Sequence, residues 1–185
     1  SPASPEIIWF YCNVQPIRGG ETILCDGIKL WKALSTETKA FFLAKPLRFD
    51  LEIPTGIKRK SKNNQTWISN SPGTSGYVDW NNGYLKFSQL QYAVQTSRFG
   101  NSLSFSNHLL AELGKDPQIK NDVMLMSGGE KVPLEILEEI KDKSAKLTYD
   151  HIWENNDFLM IDNKRFMHGR RAFKKKDPRD IVIIQ

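Results

Sequence analysis

Apolar residues in this chain are gathered into short runs, each closed by Gly, Pro, Asn or Asp, and that punctuation constrains the fold more than any other feature. Runs of roughly four to eight residues suit strands, whereas helices that bury a core usually need about ten or more. Ile7 to Cys12 is continuous, aromatic and β-branched, as expected of a strand covered on both faces. Gly19-Gly20 breaks the chain, and Thr22 to Cys25 resumes as a second strand. From Leu47 the period is two: Leu47, Phe49, Leu51 and Ile53 alternate with Arg48, Asp50 and Glu52, the pattern of a half-buried strand.

Turn signals divide the remainder in the same way. Asn63-Asn64 can turn the chain between Ile57 and Trp67, and Asn82-Gly83 predicts a two-residue hairpin between Val78–Trp80 and Tyr84–Phe87. Further strands are expected at Leu147 to Trp153, Phe158 to Ile161, Arg165 to His168 and Ile181 to Ile184. Helical signals are fewer. Asp26 is an N-cap for a helix carrying Leu30, Trp31 and Leu34, and Ser35 caps another with Ala40, Phe41 and Ala44 inward, stopped by Pro46. Two more helices are expected at Asn107 to Leu113 and Pro133 to Lys143, the latter with Leu134, Leu137 and Ile140 on one face. The prediction is one mainly β domain, a sandwich or jelly roll, with helices as insertions, and 185 residues suffice for its core.

Composition removes the alternatives. With 39% hydrophobic and 25% charged residues, 12 Gly and 9 Pro, the chain is neither disordered, collagenous nor a coiled coil. No apolar run approaches the length of a membrane span, and the first residues lack a signal-peptide pattern, so a cytoplasmic protein is expected. Cys12 and Cys25 lack metal-type spacing and read as buried, reduced thiols. The net charge of +5 admits an anionic partner, but the basic residues concentrate in Lys58–Lys62 and Lys174–Lys176 beside turns, where solvated loops account for them.

Chemistry must come from few residues. His108, in a Ser-Asn-His context, reads as a surface or cap residue, and His151 as a structural or exposed one. His168 follows a turn and precedes Gly169; it could be a base, a metal ligand or a core histidine. Arg179, eleven residues later at the mouth of the last strand, could offer its planar fork to a carboxylate or lie at the surface. Gly19-Gly20-Glu21-Thr22 is a turn with no helix close enough for a phosphate loop.

Taken in order, Pro5–Cys12, Gly19-Gly20-Glu21-Thr22 with Asp26, Asn156–Asn163, and Met167-His168-Gly169-Arg170 with Arg179 resemble the TauD/TfdA-type iron(II)- and 2-oxoglutarate-dependent dioxygenases, including the clavaminate synthase-like members. The resemblance covers the anchor points from residue 5 onward and is loose over residues 50–145. It implies a double-stranded β-helix, a jelly-roll or cupin-like core, holding iron(II) by two histidines and a carboxylate, with positions open for 2-oxoglutarate and dioxygen. His168 matches the distal histidine. Thr22 and Arg179 match the residues that hold the far carboxylate of 2-oxoglutarate.

The activity so implied is hydroxylation of an unactivated C–H bond in a small molecule, such as an amino acid or its carrier-protein-tethered form. Arg170 or Arg171 could meet a carboxylate on that substrate. The family's His-x-Asp or His-x-Glu motif is absent: Leu110 follows His108 and Trp153 follows His151 at the acidic position. The resemblance places that motif just ahead of Ser1, so residues 1–185 are expected to be a single dioxygenase-like domain lacking its opening strands and two of three iron ligands. A halogenase, which has a small residue in place of the carboxylate, is the alternative within the family. A non-catalytic jelly roll binding an anionic ligand or RNA through its basic loops is the alternative outside it. The oligomeric state is left open.

Overall fold

In a computed structural model, residues 5–58, 64–109, 125–126, 128–174 and 176–184 are described. Strand β1 (Ile7–Val14) leads to β2 (Thr22–Asp26), which runs directly into helix α1 (Gly27–Ala33) and then α2 (Thr36–Ala44). The middle contributes β3 (Leu47–Pro54), β4 (Gln65–Ser71), β5 (Thr74–Asp79), β6 (Tyr84–Gln91), β7 (Val94–Thr96), β8 (Leu103–Phe105) and β9 (Leu125–Met126). Helix α3 (Leu134–Leu147) then feeds β10 (Thr148–His151), β11 (Phe158–Asp162), β12 (Phe166–Arg170) and β13 (Asp180–Ile184).

Two antiparallel three-stranded sheets, β11-β1-β13 and β10-β2-β12, form the core. The last four strands alternate between them, β10 and β12 in one and β11 and β13 in the other, as a double-stranded β-helix requires. The period-two pattern fixes what lies between the sheets. Ile8, Phe10 and Cys12 of β1 and Ile161 of β11 are buried there with Trp153, while Leu24 reaches them from β2. The opposite face of β10-β2-β12 is also covered: Cys25 and Met167 pack with Leu30, Trp31, Leu34, Phe42, Phe105 and Ile140 in a second cluster beneath the helices. This double burial explains why β2 is apolar on both faces. Beyond it lie a five-stranded sheet, β4-β5-β6-β3-β9, and the pair β7-β8.

Several expectations are met as made. Asp26 caps α1 by accepting hydrogen bonds from the Ile28 and Lys29 amides (3.0 and 3.3 Å), and Ser35 caps α2 through the Thr38 amide (3.2 Å). Both cysteines are free and buried, and burial pushes the Cys25 thiol up to about 11. No helix among the described residues is long and apolar enough to cross a membrane.

Others are corrected. Helix α2 buries Thr38 and Phe42 with Phe41 partly covered, while Ala40 and Ala44 face solvent. The cause is Glu139 of α3, whose carboxylate accepts from the Ser35 amide, the Ser35 hydroxyl and the Thr38 hydroxyl at 2.7, 2.9 and 2.5 Å, turning α2 so that the Thr38–Phe42 edge faces inward. Leu134 of α3 is exposed, and that helix continues past Lys143 to Leu147, so the following strand starts at Thr148 and ends at His151. The β5–β6 turn spans four residues, because the Asp79 carboxylate binds the Asn82 amide and side chain and Gly83 closes at φ +72°. The expected Asn63 turn residue, most of the Lys58–Lys62 basic run and Leu110–Leu113 lie outside the described residues.

Asp26 also ties α1 to the β11–β12 turn. Arg165 donates from Nη2 (2.6 Å) and Nε (3.3 Å) to its two carboxylate oxygens. Burial works to raise the Asp26 pKa, but the Arg165 hydrogen bonds and the helix amides outweigh it, holding the carboxyl below its ordinary 3.8. A lowered folded-state pKa stabilises the fold at and above the ordinary value, and that contribution is lost as pH falls through the lower one. Asp26→Asn, which keeps a cap oxygen, is expected to cost about 1 kcal/mol at neutral pH. Thermal melts of variant and wild type should converge on acidification below about pH 4, because the lost interaction is the one that acid removes.

Candidate functional site: an anion cradle between the core sheets

The cradle begins with the two glycines. Gly19 and Gly20 both adopt left-handed backbone, at φ +69° and +74°. A Cβ on Gly19 would lie 2.3 Å from the Ala172 carbonyl oxygen, and one on Gly20 would lie 3.0 Å from Arg179 Cδ. Only glycine lets this loop close on the segment between β12 and β13. The closure has a direct result: the Gly20 carbonyl accepts a hydrogen bond from Arg179 Nε at 3.0 Å.

Arg179 is thus held by its Nε, leaving the terminal guanidinium nitrogens for another partner. It lies two residues before Ile181, which pairs with buried Cys12, so the strand alternation directs it between the sheets. Its guanidinium also covers the Phe173 ring at 5.5 Å. No carboxylate pairs with it among the described residues. Burial first, and then the Arg170 charge, hold its pKa below the ordinary arginine value, so an anion placed here would relieve an existing electrostatic cost.

Register brings the other side chains to the facing inner surface. Thr22 pairs with Arg170 of β12 and with His151 of β10, and His168 pairs with Leu24. Thr22, Leu24, His168, Arg170 and His151 therefore share the face of β10-β2-β12 that looks toward β1. Thr22 is 2% exposed, and its Oγ1 accepts a hydrogen bond from Trp153 Nε1 at 3.0 Å. The His168 ring stands edge-on to Phe10, with centroids 5.7 Å apart. Desolvation, with a smaller push from the His108 charge, lowers its pKa below 6.5, which keeps the imidazole neutral and able to ligate at neutral pH.

The structure brings Thr22, His168, Arg170 and Arg179 together, and it places Arg171 elsewhere. Arg171 grips Asp150 with three contacts of 2.9–3.2 Å on the far face of the sheet. Arg170 instead stacks on Phe173 at 5.0 Å and pairs with no acid among the described residues. His108 is exposed beside Phe49. His151 stands perpendicular to Trp153 at 4.4 Å. Trp153, Phe173 and the Gly20 carbonyl were not singled out by the sequence, since only the folded loops bring them to the site.

A hydroxyl and guanidinium groups without acidic partners suit a carboxylate, and the neutral His168 imidazole could serve as one metal ligand. The metal is a separate matter. Among the described residues no three His, Cys, Asp or Glu side chains lie close enough to hold an ion, so this set offers His168 but does not enclose iron by itself.

Residues 1–184 match the family described as "Taurine catabolism dioxygenase TauD, TfdA family". The chain belongs to that family. A curated relative of this TauD/TfdA member is the dapdiamide synthesis protein DdaC of Enterobacter agglomerans, 24% identical over 206 residues, covering 97% of this chain and 61% of DdaC. Among solved structures, AAD-2 in complex with Mn(II) and N-oxalylglycine has a TM-score of 0.60 at 19% identity, covering 98% of this chain and 63% of AAD-2. A taurine dioxygenase from Burkholderia xenovorans has a TM-score of 0.56 at 13% identity, covering 97% and 51%. These likenesses establish the TauD-type jelly roll. The chain spans about three fifths of the length of DdaC and AAD-2.

Proposed function

We propose that this chain supplies the cosubstrate-binding face of an iron(II)- and 2-oxoglutarate-dependent dioxygenase that hydroxylates an unactivated C–H bond of a small molecule, such as an amino acid or its carrier-tethered form. The observation that carries this reading is Arg179: anchored at Nε by the Gly20 carbonyl, paired with no carboxylate among the described residues, and sharing the Phe173 ring with Arg170, the cross-strand neighbour of Thr22. The guanidinium and the Thr22 hydroxyl bind the far carboxylate of 2-oxoglutarate and so fix which end of the molecule faces His168. Trp153, Phe10 and Leu24 keep the surrounding surface apolar, which strengthens each of these polar contacts. His168 is one iron ligand, and the other two come from outside the described residues, where the His-x-Asp/Glu motif belongs.

Two relatives support the reading. N-oxalylglycine, held by AAD-2 with Mn(II), has the skeleton of 2-oxoglutarate with NH in place of CH2. DdaC belongs to dapdiamide synthesis, which supports a small amide or amino-acid-like substrate. In the overall reaction one oxygen atom of O2 enters the substrate C–H bond and the other enters succinate, as 2-oxoglutarate loses CO2. The full-length protein given iron(II), 2-oxoglutarate and a panel of amino acids and their amides is expected to release succinate and a hydroxylated product in equal amounts. No 2-oxoglutarate turnover with any metal loading would contradict the reading, and a chlorinated product in the presence of chloride would replace its hydroxylase part.

A further inference from the structure

Thr22 and Trp153 are each 2% exposed, and the hydrogen bond joining them runs in one direction only. An indole N–H donates and cannot accept, so it occupies a lone pair on Thr22 Oγ1. The Thr22 proton is left over. None of the described hydrogen bonds uses it, and the indole excludes it from its own side. A threonine that accepts from a fixed donor is thereby committed to donate elsewhere, and what lies on its face of the sheet is the cradle formed with Arg170 and His168.

The indole itself is held from two directions. The Phe10 ring lies 6.4 Å from it at 47°, and the His151 ring meets it at 4.4 Å and 90°. His151 is also the cross-strand partner of Thr22, so Trp153 contacts both members of that pair. Trp153 leaves the strand just beyond His151, which is what turns its side chain back to Thr22.

We propose that Trp153 is a positioning residue, whose indole N–H fixes the Thr22 hydroxyl as a hydrogen-bond donor toward the carboxylate of an anionic cosubstrate. This rests on the 2-oxoglutarate reading above. Without the indole, the hydroxyl is free to rotate and must be ordered at the moment of binding, and it loses the polarisation that an accepted hydrogen bond gives to its own O–H.

The test is a double-mutant cycle on 2-oxoglutarate affinity in the full-length protein, read by calorimetry. Thr22→Val should weaken binding about tenfold or more, since a donor to a charged group is removed. Trp153→Phe should weaken it roughly three- to tenfold in the wild-type background, and by less than about twofold when Thr22 is already Val. Equal losses in both backgrounds would show that Trp153 acts through packing alone and would overturn the inference. Absence of any 2-oxoglutarate binding by the wild type would overturn the cosubstrate reading itself. A second measurement leaves the indole intact and so survives poor folding of Trp153→Phe. In zinc-loaded, nitrogen-15-labelled protein, the Trp153 indole N–H resonance should move downfield on adding 2-oxoglutarate, and this response should vanish in Thr22→Val. An indole resonance indifferent to 2-oxoglutarate in the wild type contradicts the proposal.

Discussion

Arg179→Ala is expected to weaken 2-oxoglutarate binding by about 100-fold or more while leaving Mn(II) affinity within about twofold. The magnitude follows from what is removed: a charge-assisted, fork-shaped donor at an apolar surface, leaving the ligand carboxylate with only a neutral hydroxyl, a loss of about 3 kcal/mol. The selectivity follows from position. Arg179 is tied to the Gly20 carbonyl at the mouth of β13, whereas His168 is on β12, held against Phe10, and exchanges no hydrogen bond with it. Arg179→Lys should fall between, because an ammonium keeps the charge but cannot both bind Gly20 and present two parallel donors. Parallel titrations of the ligand and of Mn(II) decide the matter. Equal loss of both affinities would mean that Arg179 supports the fold and not the carboxylate.

The largest effect on stability is expected at Gly27, where β2 turns into α1. A Cβ there would lie 2.4 Å from Ser104 Oγ, 2.5 Å from the Phe105 carbonyl oxygen and 2.8 Å from the Arg165 carbonyl oxygen. None of the three can yield cheaply. Two are backbone atoms, one of which accepts the Gly27 amide at 2.8 Å, and Ser104 is itself fixed by donating to the Arg165 carbonyl at 3.1 Å. Helix propensity alone would favour alanine by about 1 kcal/mol. The crowding opposes it, and Gly27→Ala is expected to cost about 3 kcal/mol net, which for a domain of this size lowers Tm by roughly 6–12 °C. A variant melting within about 2 °C of the wild type would show that α1 shifts freely over β8, contrary to the packing described.

Much of this architecture was legible because local chemistry and tertiary contacts agree. The continuous run of β1 and the caps Asp26 and Ser35 each state their role without reference to distant residues. The errors fall where a distant residue decided. Ala40 and Ala44 read as inward until the Glu139 carboxylate, 101 to 104 positions away from its partners, rotates α2. The cradle divides in the same way. Thr22, His168 and Arg179 were recognised by their resemblance to a family pattern, and periodicity could only place them on strands or at their ends. Arg170 and Arg171 are adjacent and chemically identical, so only β-sheet register separates the one facing Thr22 from the one paired with Asp150. Trp153 gave no sequence signal at all. Its link to Thr22 spans 131 positions and depends on the chain leaving β10 at His151.

The proposed function requires that the far carboxylate of 2-oxoglutarate bind between Thr22 on β2 and Arg179 at the start of β13. A crystal structure of the full-length protein with Mn(II) and 2-oxoglutarate tests it most directly. That carboxylate is expected within hydrogen-bonding distance of the Arg179 terminal nitrogens and Thr22 Oγ1, with Arg179 Nε still on the Gly20 carbonyl and the keto-acid end directed to His168. A keto acid bound away from this site, with Arg179 turned out of the cradle, would contradict it.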